Sequence, residues 1–71
     1  MPTYPEIEKR FTYHPPKDAN QIRKFEMLRD KMKYVAELIF ENCPDSRERS
    51  VALTKLEECN MWANAAIARN E

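Results

Sequence analysis

One histidine, two cysteines and no glycine narrow the chemistry open to this 71-residue chain. A Ser–His–Asp or Cys–His arrangement could use only His14 as its base, and no nucleophile stands at a recognisable spacing from it. Cys43 and Cys59 form no pair at chelating spacing, so no metal site is expected. Without glycine, a phosphate-cradling loop and a dinucleotide fingerprint both lose their usual residue. What the chain does offer is aromatic rings and bases. Phe11 and Tyr13 precede His14, Pro15 and Pro16; Arg23, Lys24, Arg29, Lys31 and Lys33 fall within eleven residues; Arg69 stands near the end. An aromatic ring can stack on a nucleobase for about 1–3 kcal/mol, and Arg or Lys can pair with phosphate. Those residues suit a binding protein, not an enzyme, and no cofactor is expected. The neighbouring acids Glu57 and Glu58 read as a solvated helix face.

The formal net charge is zero, but it is unevenly spread. Residues 17–33 carry six bases against three acids, while residues 34–71 carry four against seven. A protein that coats a nucleic acid polymer is usually basic throughout, because phosphate neutralisation dominates that affinity. A local basic zone fits a small anionic ligand better. A single-stranded nucleic-acid binder built on Tyr13 and this zone would need steep salt dependence, and the balanced charge argues against it. No apolar run approaches the roughly 18 residues of a membrane span, and the N-terminal stretch with Pro5, Glu6 and Glu8 has no apolar signal-peptide core. A soluble, intracellular chain is the expectation.

The elements that must hold these side chains are helices, so the fold class is all-α. Residues 1–17 read as an arm or short helix, with one helical turn near Pro5–Arg10 and a stiff exit at Pro15-Pro16. A first long helix is expected over 18–42, with Asp18 as its N-cap. Its apolar residues Phe25, Leu28, Met32, Val35 and Ile39 recur at spacings of 3 and 4, the seam of a coiled-coil-like pairing. Pro44 disfavours helical geometry at Cys43 and ends it. Asp45 with Glu48 three residues on reads as a capping box, and the second helix is expected over 46–70. Its small residues Ala52, Cys59, Ala63 and Ala66, with Leu56, form a stripe that would admit another helix closely; Leu53, Trp62 and Ile67 fall elsewhere on the wheel. Trp62 and Met61 read as core or interface residues. A short turn makes the pair an antiparallel hairpin.

Such a hairpin buries one stripe, and below about 70–80 residues a lone core seldom suffices. An internal disulfide fails on distance: Cys43 sits at the turn, while Cys59 lies about 14 residues into the second helix, roughly 20 Å along it, against the ~7 Å a bridge allows. Association remains, so the hairpin is expected to assemble into an obligate oligomer. An antiparallel hairpin also returns Arg69 to the start of the first helix, beside Tyr13 and the early bases.

The run from Cys43 to Glu58 (CPDSRERSVALTKLEE), continuing through MWANAAIARNE at 61–71, resembles a phage family, and so does the arm motif RFTYHPPK at 10–17. This is the anti-CBASS nucleotide-sponge family, whose helical hairpin is shared with an anti-Thoeris sponge family. The resemblance spans about Arg10 to Glu71. It implies a non-enzymatic immune-evasion protein of the host–virus conflict, acting in the host bacterial cytoplasm, that binds cyclic oligonucleotide messengers without cleaving them. It further implies a homohexamer with cyclic dinucleotides of the 3′,3′-cyclic GMP-AMP type held between protomers, and cyclic trinucleotides in separate sites for some members. The family pocket uses an arm Tyr, a basic residue of the first long helix and a late Arg of the second. Carried onto this sequence these are Tyr13, then Arg29 and Lys31 with Lys24 following, and Arg69. An anti-Thoeris sponge for cyclic ADP-ribose-type signals and a helical assembly protein that binds no ligand are the competing readings.

Overall fold

Each helix begins at a side chain that can hold its first free backbone N–H. In the computed structural model, which describes residues 3–71, α1 spans Tyr4–Phe11, α2 Ala19–Asn42 and α3 Arg47–Asn70, with no strand among the described residues. Thr3 and Glu6 close a reciprocal capping box over α1, and Pro5 occupies its first turn, where a missing N–H is harmless. The arm therefore contains two full helical turns rather than one. The Thr-x-x-Glu spacing that produces them is visible in the sequence. Asp18 accepts from the Gln21 N–H at 2.9 Å and starts α2 as expected.

At α3 the cap differs from expectation. Ser46, not Asp45, is the N-cap: its hydroxyl oxygen accepts from the Arg49 N–H at 3.1 Å. Asp45 is diverted because the Arg49 guanidinium takes its carboxylate at 3.1 Å. The same guanidinium donates to the carbonyls of Phe40 and Cys43 at 3.3 Å and lies 4.6 Å from the Phe40 ring centroid. Helices usually end on a glycine that frees the chain to turn. Here an arginine from the next helix satisfies the last carbonyls instead.

α2 and α3 pack as an antiparallel hairpin. The seam on α2 keeps Phe25, Leu28, Met32 and Ile39 of the expected stripe half-buried, but Val35 is 39% exposed and Ala36, one position on, takes its place. On α3 the half-buried face carries Arg49, Leu53, Leu56, Asn60, Ala63 and Ile67, again at spacings of 3 and 4. Leu53 and Ile67 thus share one face with Leu56 and Ala63, whereas Cys59 and Ala66 of the small stripe are exposed. The wheel could not decide this, because small and large apolar residues compete for the same neighbour. Trp62 and Met61 are 69% and 62% exposed. Both cysteines are free and exposed. Among the described residues no helix is long and apolar enough to cross a membrane.

The result is a thin molecule, 45 × 34 × 13 Å, in which no apolar residue among those described is fully buried. Its radius of gyration is 15.4 Å, against about 11 Å for a compact domain of this length. α1 makes no extensive contact with the hairpin, and its apolar side chains Tyr4 and Phe11 are more than four-fifths exposed.

Candidate functional site

The open end of the hairpin gathers side chains from all three parts of the chain. An open concavity of about 390 Å³ is lined by Tyr13 and His14 from the arm, Phe25 and Arg29 from α2, and Asn64 and Arg69 from α3. Position 29 follows Phe25 by one turn and lies on the flank of the α2 seam, so the half-buried Phe25 forms a floor beside the guanidinium. Position 69 falls in the last turn of α3, where a positive charge is favoured by the helix dipole.

The electrostatics of this concavity are one-sided. Among the described residues neither Arg29 nor Arg69 takes part in an ion pair; the three pairs present involve Lys24, Arg49 and Lys55. No carboxylate lines it. Two guanidiniums without ion-pair partners lining one concavity favour a counter-anion there, and a guanidinium presents phosphate with a planar fork of donors. Tyr13, 82% exposed, offers a ring face with nothing packed over it.

The remaining expected bases lie elsewhere. Lys31 lines a separate surface depression formed by α2 alone, with Asp30, Tyr34 and Met27. Lys24 pairs with Glu71 at 2.8 Å across the open end. That hydrogen bond and the Lys24 charge, opposed by partial desolvation, hold the Glu71 carboxyl below its ordinary value. Lys24 and Lys31 are two turns apart on one side of α2, and Arg29 is on the other. The structure thus brings together Tyr13, Arg29 and Arg69, and not Lys24 or Lys31.

Besides His14, three residues of this region, Asn60, Asn64 and Gln21, are not among those the sequence singles out. His14 is half-buried, and its Nε2 lies 2.8 Å from the Lys9 carbonyl, so it donates there and ties the arm back to α1. The Oδ1 atoms of Asn60 and Asn64, one turn apart on α3, are buried with no hydrogen-bond partner among the described residues. Such an acceptor costs about 1–3 kcal/mol. Gln21 is the one buried residue described. Polar side chains at seam positions were the available sign in each α-helical case.

The chain matches the family model for the Acb2/Tad1, hairpin domain, over residues 3–68. No curated protein and no solved structure gives a match. The matched stretch takes in α1, the arm with Tyr13, all of α2 and all but the last residues of α3; Arg69 follows it directly, so its place in the site rests on the concavity. With both long helices and their arm inside one match, this chain belongs to the Acb2/Tad1 hairpin family, the anti-CBASS and anti-Thoeris phage sponges for cyclic nucleotide signals.

Proposed function

We propose that this protein sequesters the cyclic oligonucleotide messengers of CBASS defence, cyclic dinucleotides of the 3′,3′-cyclic GMP-AMP type among them, and releases them chemically unchanged. One observation carries the reading: two guanidiniums without ion-pair partners and an exposed tyrosine ring line the same concavity. In this mechanism Arg29 and Arg69 bind the phosphodiesters and Tyr13 stacks on a base. Capture by charge and stacking needs no acid, base or metal. A sponge acts by titration, so it needs a dissociation constant below the messenger's working concentration and enough copies of itself.

The sites belong to an oligomer, a hexamer in this reading. A folded chain of 8.5 kDa is expected to expose about 4,700 Å², and this one exposes 6010 Å². The excess is of the order of the roughly 800 Å² that each partner buries in a standard interface. Association would cover the exposed rings of α1 and Trp62 and shield the concavity from water, where ion pairs strengthen. A ligand held between protomers would in turn stabilise the assembly by mass action.

Calorimetric titration with 3′,3′-cyclic GMP-AMP, followed by heat denaturation and chromatography of the released nucleotide, tests the proposal. Tight binding with intact ligand recovered supports it. Recovery of a cleaved product, or affinity for ADP-ribose-type cyclic signals alone, overturns it.

A further inference from the structure

We propose that Gln21 is a positioning residue of the ligand site: its buried amide anchors the arm to the first turn of α2 and so sets where Tyr13 stands relative to Arg29 and Arg69. The inference rests on the site reading above. Its starting point is an inversion of the usual pattern. Among the described residues the one buried side chain is polar, Gln21 at 4% exposure, while no apolar residue reaches burial. Position 21 continues the α2 seam of Phe25, Leu28 and Met32 at spacings of 4, 3 and 4. An apolar residue would fit that stripe at no desolvation cost, whereas a buried amide is tolerated only with its hydrogen bonds made.

Its carbonyl bond reaches outside the helix: Gln21 Oε1 accepts the Lys17 backbone N–H at 2.9 Å. Three residues on, Lys24 grips the Glu71 carboxylate at 2.8 Å. The start of α2 therefore holds both the arm's last residue and the residue two places beyond Arg69. Between Lys17 and Tyr13 stand only Pro16, Pro15 and His14. Each proline fixes its own φ and restricts the residue before it, and His14 is held to the Lys9 carbonyl. An anchor at Lys17 is thus transmitted through a stiff segment. Tyr13, 82% exposed, has little packing of its own to set its position.

The test is a double-mutant cycle in the full-length protein, with 3′,3′-cyclic GMP-AMP as probe. Gln21→Leu keeps the seam filled and removes the side-chain hydrogen bond to Lys17. It should bind about tenfold more weakly, lose hydrogen-exchange protection at the Lys17 amide, and melt no lower than wild type. In a Tyr13→Ala background the same change should have almost no further effect, because Gln21 acts through Tyr13. Wild-type affinity for Gln21→Leu, or losses that add across the cycle, would overturn the proposal. Gln21→Met, unbranched and of similar reach, repeats the cycle should leucine disturb folding. Arg69→Ala serves as the control: wild-type affinity there would show that the site itself is misplaced, whereas weakened binding there beside an intact Gln21→Leu would sink the positioning role alone.

Discussion

Arginines at the two ends of the hairpin have opposite surroundings. At the turn, Arg49 has its side chain 17% exposed and spends its donors on Phe40, Cys43 and Asp45 while lying over the Phe40 ring. At the open end, Arg29 and Arg69 line a concavity with no carboxylate beside them. The turn is complete within one chain. The concavity at the open end leaves its two guanidiniums without ion-pair partners and its aromatic ring bare. A charged side chain whose partners are all internal serves the fold, and one that is pre-placed without partners is available to a ligand.

The sharpest way to break this contrast is to exchange the expected phenotypes. Arg69→Ala should weaken 3′,3′-cyclic GMP-AMP binding about a hundredfold, the scale of a lost charge-assisted contact to phosphate, with elution volume unchanged. Calorimetry beside size-exclusion chromatography measures both. Arg49→Ala should do the reverse, removing about 1–2 kcal/mol of stability through the lost carbonyl and ring contacts while affinity holds. Urea unfolding reads that loss, and a variant as stable as wild type would remove the staple from the account.

Tyr13 sharpens the open-end side. Tyr13→Ala should lose about 1–3 kcal/mol of binding, whereas Tyr13→Phe, keeping the ring, should lose little. Equal losses would assign the contact to the hydroxyl rather than to stacking.

The smallest effect concerns Glu71. Lys24 holds its carboxyl below the ordinary value in the folded state. A depressed carboxyl stabilises the fold above its unfolded value and loses that contribution as pH falls through the folded one. Melting temperature should therefore fall slightly more steeply below about pH 4.5 in wild type than in Glu71→Gln. The pair is exposed, so solvent screens it and the difference stays small. Identical profiles would show that Lys24 and Glu71 do not bind each other in solution.

Much of the fold is legible in local sequence. Asp18, Pro44 and the spacing of Phe25, Leu28, Met32 and Ile39 fix α2 and its seam, because caps and periodicity act within a few residues. Thr3-x-x-Glu6 is equally local, and α1 follows from it. The choice of Ser46 over Asp45 as cap is less accessible, since it turns on Arg49, whose guanidinium is free to reach either the cap or the preceding helix. The α3 face is less accessible still: Leu53, Ala63 and Ile67 could each have faced α2 or solvent on helical spacing alone.

By itself, then, the sequence determined two long helices after a short helical arm, an antiparallel return and the residue types available to a ligand, with its likeness to the sponge family. Only the tertiary structure decided that Arg29, and not Lys31 or Lys24, shares a concavity with Tyr13 and Arg69. All three bases lie within eight residues on one helix, where composition and local charge are the same. What separates them is rotation about the helix axis, and that is set by the partner helix and the arm that pack against it.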